Sequence, residues 1–463
     1  MRSFNSIKKS MLKEHCSEHE ITLFRSLFER YISDKEKKVD WQNISSPDDQ
    51  SIINYEQIPT CNQQEAKQLL SQLVVCRLNG GLGTGMGCLG PKSAIEVRDG
   101  KSFLDLLVSQ IQNINDTYQV NVPLLLMNSF NTDQDTNRII KKYNNNLNIR
   151  TFQQNKFPRL TKDALTPLSV ESFGDQAFYP PGHGDVFNSI NDSGILDELI
   201  KQGKKFIYIA NADNLGASVD LNILKLISDT IAPYIMEVTD KTRADVKGGT
   251  LVYTKDKPLH LLEFAQVPVE YQEEFKSVKK FKIFNTNNIW LNLAKLKQKL
   301  NEGSLNLDLI VNKKTVNHHQ VIQLEIAIGS GISSFRDSLA VKVPRKRFLP
   351  VKKTNDLLLV QSNLFIEENG ILKMNPERQF AGLPLIRLGE NFSTIADYQK
   401  HFQEIPDILE LDLLTVVGKV YFGKDIILKG NVILVCDGEA LHIPDSAKLE
   451  NKVLTGNIQL AEL

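Results

Sequence analysis

The chain has 463 residues, 41% hydrophobic and 24% charged, an ordinary globular composition with room for roughly two to four domains. Lysine plus arginine and aspartate plus glutamate stand at 55 each, a formal net charge of zero, which argues against a dedicated nucleic-acid binder with its basic excess. No run of about 18 apolar residues and no apolar segment after the early basic residues is present, so neither a membrane span nor a secretory signal is expected, and five scattered cysteines without metal spacing predict reduced thiols in a cytoplasmic protein.

Residues 1 to about 40 read as helical. Leu23, Phe24, Leu27, Phe28 and Tyr31 recur at three-and-four spacing and form a stripe that packs on the main domain. Residues 42–64 are polar and turn-rich and read as a linker. From about residue 72, short apolar runs alternate with helical segments. The predicted strands are 73–78, 123–127, 206–210 and 233–238; the predicted helices are 102–115, 133–144, 184–201 and 220–230. This alternation predicts an α/β sheet, mostly parallel and covered on both faces, with ligands outside the carboxyl ends of its strands. From about 405, β-branched runs are broken by Gly418, Gly423, Gly430, Gly438 and Gly456, and the fragments GKV, GNV and GNI recur. The recurrence predicts a parallel β-helix, with a small antiparallel sandwich as the other arrangement. The expected divisions are 1–70 (extension and linker), 71–350 (main α/β domain) and 351–463 (C-terminal domain).

The first strand runs directly into Leu78-Asn79-Gly80-Gly81-Leu82-Gly83-Thr84-Gly85-Met86-Gly87-Cys88-Leu89-Gly90-Pro91-Lys92-Ser93. Six glycines fall within residues 80–90, so backbone N–H groups can turn toward an anion without Cβ clashes. Lys92 adds a mobile positive charge, and a triphosphate is the natural guest. The P-loop pattern fails because Pro91 stands between Gly90 and Lys92. Gly85 to Gly90 fits a dinucleotide fingerprint formally, but it does not sit in the turn that follows the strand.

Other positions carry chemistry of their own. Asp213, just past the third predicted strand, lies where a crevice carboxylate suits Mg²⁺, or it makes an Asx-turn toward Gly216. In Gly182-His183-Gly184-Asp185, the glycines allow close ligand approach, and Asp185 is a candidate helix cap. The segment holding Lys241, Arg243 and Lys247 reads equally as a solvated charge cluster or a phosphate pocket.

The loop L-N-G-G-L-G-T-x-M-G-x-x-G-P-K-S resembles the nucleotide-binding signature of the eukaryotic-type UTP–glucose-1-phosphate uridylyltransferase (UDP-glucose pyrophosphorylase) family. The likeness continues through residues 152–160, 178–187, 209–220, 236–251, 261–268, 279–290, 321–335 and 343–364, covering essentially everything from about 70 onward. It implies a Rossmann-like nucleotidyltransferase (GT-A-like) mixed sheet with a C-terminal left-handed parallel β-helix. It implies reversible, Mg²⁺-dependent transfer of uridylyl from UTP to glucose 1-phosphate by direct attack on the α-phosphate, giving UDP-glucose and pyrophosphate. By the same resemblance Lys92, Asp213 and Lys352 are catalytic, and Asp213 is the metal ligand. Leu78, Asn79, Gly80, Gly81, Gln154 and Gly182 join those three in binding the nucleotide. The glutamine amide both donates and accepts, as the edge of uracil requires, and neighbouring Gln153 leaves the register open. Gly80, Gly81, His183, Asn211, Ala212, Asp213, Gly249, Glu263 and Asn287 bind the sugar phosphate, with Asn285 as the fallback for Asn287. The Lys241–Lys247 stretch lines the same pocket.

This chain departs from the family pattern at Gly85 (usually serine or threonine), Arg77 (commonly lysine) and Phe264 (isoleucine). The expected partners are small molecules, with neither nucleic acid nor membrane among them. Exposed coil ends of the β-helix invite self-association, as the resemblance implies from some relatives, with the monomer of other relatives as the alternative. Two other functions are a pyrophosphorylase for another sugar, such as N-acetylglucosamine 1-phosphate, and a scaffold that kept the fold without the chemistry.

Overall fold

The computed structural model describes residues 2–34, 40–47, 52–143, 147–242, 245–254, 259–380 and 382–456. The chain divides into two compact units, the first made of Met1–Gly80, Ile114–Asn211 and Val219–Arg345, the second of Gly81–Asn113, Ala212–Ser218 and Lys346–Leu463. The sequence boundaries at 70 and 350 do not coincide with this division. Residues 1–70 belong to the first unit, and the glycine-rich loop belongs with the C-terminal residues.

The first unit is built on an eight-stranded sheet. In chain order its strands are β1 (Ile53–Asn54), β2 (Leu73–Leu78), β3 (Leu124–Asn128), β4 (Ile149–Gln153), β5 (Phe206–Asn211), β6 (Tyr234–Asp240), β7 (Ile283–Asn292) and β8 (Leu339–Lys342). Their order across the sheet is β1-β8-β6-β7-β5-β2-β3-β4. Only β7 runs antiparallel to its neighbours, β5 and β6. The sheet is therefore mixed and dominated by parallel pairs, as the strand–helix alternation predicts. In the central strand β2, Leu73 to Cys76 are fully buried. Each such aliphatic side chain contributes about 1.5–3 kcal/mol of burial, which explains why four predicted strands appear within two residues of their expected bounds.

The N-terminal segment forms two helices, Arg2–Lys13 and Glu18–Asp34. The second starts on a reciprocal cap: Ser17 N–H donates to Glu20 Oε2 (2.7 Å) and Glu20 N–H to Ser17 Oγ (3.1 Å). Ile21, Phe24, Leu27 and Phe28 enter the core, where Phe24 meets Phe157 edge-on at 5.1 Å; Leu23 and Tyr31 of the predicted stripe are only partly buried. The 42–64 stretch is more than a linker. Just before it, Trp41 is buried and stacks on Tyr271 at 5.0 Å. Within it, β1 adds an edge strand in parallel register with Val341 and Lys342. The predicted helix 184–201 is two helices, Val186–Asp192 and Ile195–Lys201, broken where Gly194 turns to φ +76°. Arg77 is 2% exposed, with its guanidinium 4.9 Å above the Tyr208 ring. It packs there in the core.

In the second unit, Leu385–Leu388, Leu411–Val417 and Ile427–Val435 form a ladder, and the last of these also pairs with Lys448–Glu450 and Val453–Thr455. Val420–Phe422 pairs with Leu441–Ile443. Every one of these pairings is parallel, and aligned residues stack: Leu414 on Val432, Val420 on Leu441, Phe402 on Phe422 at 4.6 Å. The GNI fragment extends beyond Gly456 and lies outside the described residues. Gly418 turns the chain at φ +82°, where an added Cβ would overlap the Cys436 carbonyl oxygen. Backbone cannot swing aside as a side chain can, so Gly418→Ala is expected to destabilise the protein by roughly 3 kcal/mol. Gly382→Ala, with open space around the added carbon, should change stability by less than about 0.5 kcal/mol. Urea denaturation midpoints of the two variants check this contrast.

Candidate active site

The second unit holds the predicted catalytic set. The loop after β2 folds back on itself: Lys92 N–H donates to Gly81 O (3.1 Å), Gly83 N–H to Gly90 O (3.3 Å) and Cys88 N–H to Gly83 O (3.0 Å). A Cβ at Gly81 or Gly85 would meet nothing within 4 Å, and a side chain at Gly85 is not needed for the loop to close. Lys92 Nζ reaches Asp213 Oδ2 at 2.7 Å, each side chain 16% exposed. Asp213 Oδ1 is buried and has no hydrogen-bond partner among the described residues. The Asx-turn toward Gly216 belongs to Asn214, whose Oδ1 accepts from Gly216 N–H (3.1 Å) and Leu349 N–H (2.8 Å). That leaves the Asp213 carboxylate available for chemistry.

The main chain of Asp213 is tied to the segment carrying Lys352: Val351 N–H donates to Asp213 O at 3.1 Å, and Leu215 N–H to Leu349 O at 3.0 Å. Asp356 accepts from the backbone N–H of Lys352 (2.7 Å) and Lys353 (2.9 Å) at the start of helix Thr354–Gln361. Burial raises the Asp356 carboxyl above its ordinary range, while those N–H groups and the charges of Lys92 and Lys352 pull it back down. Both lysines therefore act on one carboxylate, and Lys92, Asp213, Lys352 and Asp356 form one charged cluster. Asp356 was not singled out from the sequence. Its signal is an acid three residues after the polar start of an apolar helical run.

The first unit holds two further clusters. In one, the Asn79 side chain donates to Asn128 Oδ1 (2.8 Å) and Thr136 Oγ1 (2.9 Å), and Thr132 Oγ1 donates to Asn79 O (3.0 Å). Asn79 is thus tied to the end of β3 and to residues 132–136, and Leu78 pairs within the sheet with Asn211 and Met127. Gly80 is held by Ser129 Oγ donating to its carbonyl (2.8 Å). The Gln154 amide lies directly on it, so that an added Cβ would overlap Nε2 and sit 3.3 Å from Cδ. Gln154 is 7% exposed whereas Gln153 is exposed, so of the two glutamines it is Gln154 whose amide is buried beside Gly80. Gly182, at φ +89°, would bring a Cβ to 2.6 Å from Ile326 O; only glycine fits there. His183 Nδ1 accepts from Ile328 N–H at 3.0 Å, which places the proton of a neutral imidazole on Nε2. Asp185 caps no helix N–H; its carboxylate binds Asn155 and Ser189.

The other cluster gathers the predicted sugar residues. A Cβ on Gly249 would lie 2.7 Å from Glu263 Oε2, so the carboxylate rests on that glycine, and burial raises its pKa. Asn285 N–H donates to Gly249 O (2.8 Å), Asn285 Nδ2 to Asn287 Oδ1 (2.7 Å) and Asn287 N–H to Asn285 Oδ1 (2.9 Å). Asn287 stands at φ +60°, where the pairing of β7 with β6 slips, and such a bulge re-aims a side chain. Phe264 packs beside Phe275 at 5.8 Å and under the Lys247 ammonium at 5.5 Å. Lys241 turns away: its buried ammonium donates to Phe275 O (3.0 Å) and burial lowers its pKa to about 8. Arg243 lies outside the described residues. Asn211, at the carboxyl end of β5, and Ala212 lead into Asp213.

Among the described residues no three acidic, histidine or cysteine side chains gather as a ready-made metal site. A bare, buried oxygen on a single carboxylate still fits Mg²⁺, which is commonly held by one or two carboxylates and completed by substrate phosphates and water.

A family model described as UTP–glucose-1-phosphate uridylyltransferase matches residues 21–429. A Dictyostelium discoideum protein named UTP–glucose-1-phosphate uridylyltransferase 2 is 50% identical over 448 residues, covering 96% of this chain and 89% of that protein. A Trypanosoma brucei crystal structure described as UDP-glucose phosphorylase is 35% identical, with a TM-score of 0.88 over 98% of this chain and all of that one. A Leishmania major UDP-glucose pyrophosphorylase mutant solved with UDP-glucose is 31% identical, with a TM-score of 0.88 over 98% of this chain and 99% of its own. Sequence motif, fold and shared identity along nearly the whole length agree, and the chain belongs to the UTP–glucose-1-phosphate uridylyltransferase family.

Proposed function

We propose that this chain catalyses the reversible, Mg²⁺-dependent transfer of uridylyl from UTP to glucose 1-phosphate, yielding UDP-glucose and pyrophosphate. The observation that carries the reading is the Lys92–Asp213 pair with one carboxylate oxygen bare and buried, laced through its backbone to the Lys352 segment. A phosphate oxygen of the sugar attacks the α-phosphorus, forming one P–O bond as the α–β bridging P–O bond breaks. The nucleophile is already an anion, so the residues need supply no strong base. Their task is to bring two polyanions together and neutralise charge. The Gly81–Lys92 loop offers backbone amides and the Lys92 ammonium, and Lys352 supplies a second cation. Asp213 would hold Mg²⁺, which when bound draws negative charge from the phosphate oxygens. Gln154 and Gly182 read uracil. His183, Asn211 and Ala212 attend the sugar phosphate, and Gly249, Glu263 and Asn287 take the glucose hydroxyls.

Parallel pairing and residue stacking in the C-terminal ladders support a left-handed parallel β-helix there, and the exposed Leu385 and Val453 on its strands support self-association through it. The five free cysteines support a reducing, cytoplasmic setting; no helix among the described residues is long and apolar enough to cross a membrane.

The test is pyrophosphate release from UTP with a panel of sugar 1-phosphates at equal concentration, with and without Mg²⁺. Glucose 1-phosphate with Mg²⁺ should be turned over fastest. Equal turnover of galactose 1-phosphate would remove the glucose assignment, and UTP binding without release from any sugar phosphate would favour the scaffold.

A further inference from the structure

Asp185 is a buried acid that the transfer chemistry does not use. It is 1% exposed. Its Oδ2 accepts from Asn155 N–H (2.7 Å), Ser189 Oγ (2.7 Å) and Asn155 Nδ2 (3.0 Å), and its Oδ1 accepts from Asn155 Nδ2 at 2.9 Å. No ion pair to it is found among the described residues, and burial pushes its pKa up to about 6 against the pull of those hydrogen bonds. Burying a carboxylate with no cation beside it is costly. A helix cap does not demand it, because asparagine caps as well. The side chain of Asn188 is a further donor to the carboxylate, so donors from Asn155, Asn188 and Ser189 converge on two acceptor oxygens, where an amide would offer only one.

That residue follows Gln154. The Gln154 N–H donates to Asn128 O at 2.8 Å, its side chain is wedged on Gly80, and the next peptide is gripped by Asp185. The backbone that seats the amide is fixed on both sides. Uracil presents an N3–H donor between two carbonyl acceptors. Cytosine presents an N3 acceptor beside an amino donor. A glutamine amide turned by half a rotation about its last torsion exchanges its donor and acceptor and would greet cytosine as well as uracil. Selection therefore needs the amide kept at one place and angle against the base, which begins with a backbone carrier that does not shift.

We propose that Asp185 is a positioning residue for base selection, holding the Gln154–Asn155 segment so that the site takes uridine and refuses cytidine triphosphate. The inference rests on the reading of Gln154 as the uracil contact.

The test compares kcat/KM for UTP and CTP, each with glucose 1-phosphate, in the parent, Asp185→Asn, Asn155→Ala and the double variant. Asn62→Ala, which removes the cap of the remote helix Gln63–Ser71, controls for lost stability. In both single variants the UTP-to-CTP ratio should fall about 10-fold or more, mainly through KM for UTP. The double variant should fall no further, because both changes break one contact, and Asn62→Ala should keep the parent ratio. If Asp185→Asn slows both nucleotides equally, or if the two single effects multiply in the double variant, Asp185 is structural only. If Asp185→Asn does not fold, Asn155→Ala decides alone: a parent-like ratio there overturns the inference. A parent that shows no preference for UTP would instead remove the uracil reading itself.

Discussion

Asp213→Ala should lower kcat for pyrophosphate release by about 10³-fold or more, the scale seen when a group that stabilises developing charge is removed. The substitution deletes the one carboxylate in the cluster with a bare buried oxygen, and it leaves Lys92 without its 2.7 Å partner. The Lys92–Asp213 pair is largely buried but not sealed, so its loss should cost only about 1–2 kcal/mol of stability. The two effects can be separated. Circular dichroism and melting should report a folded protein, while a steady-state pyrophosphate assay reports almost no turnover. Asp213→Asn keeps the shape and removes the charge; it should remain nearly as slow and should need a higher Mg²⁺ concentration for what activity is left. An Asp213→Ala variant with near-parent turnover would withdraw the metal ligand assignment, and Lys92 would then have to be explained without it.

The central strands were legible because their residues are buried on both faces and read as unbroken apolar runs. The glycine-rich loop was legible as a tight turn-over of the chain, because so many glycines in so short a stretch permit its backbone to fold back on itself. Elements whose identity depends on distant partners were not. β1 is two residues long inside a polar stretch, too short to show any period, and exists because β8 offers it an edge. The division into units could not be read linearly, because residues 81–113 cluster with a segment more than two hundred positions downstream. The sugar cluster was named from family likeness. What unites it is a slip between β6 and β7 that turns Asn287 onto Asn285, and no local pattern announces such a slip. Asp356 was passed over because one acid in a helix start is commonplace; only the fold shows Lys92 and Lys352 both acting on it. Lys241 shows the converse, since its segment reads as a solvated charge cluster or a phosphate pocket and this lysine is buried against Phe275.

Gly80→Ala is the second substitution with a large expected effect, and it separates stability from recognition. Gly80 is not in the left-handed region, so alanine brings no backbone strain of its own. The added methyl would occupy the place of Gln154 Nε2. Neither backbone can retreat. Ser129 holds the Gly80 carbonyl at 2.8 Å and Thr132 holds that of Asn79 at 3.0 Å, while Asn128 and Asp185 pin the chain on either side of the Gln154 side chain. The glutamine amide is the part able to move, and moving takes it off the surface on which it would meet the base. Kd for UTP should therefore rise about 100-fold, the loss expected when a site built to hydrogen-bond its ligand loses that partner. The melting temperature should change by no more than about 2 °C, because a long polar side chain finds water when displaced. Gly81→Ala, one residue on, meets nothing within 4 Å and should fold like the parent. Isothermal titration with UTP and a melting curve for each variant give both readouts. If Gly80→Ala bound UTP as the parent does, the buried amide would be a packing element and the base would have to be read elsewhere.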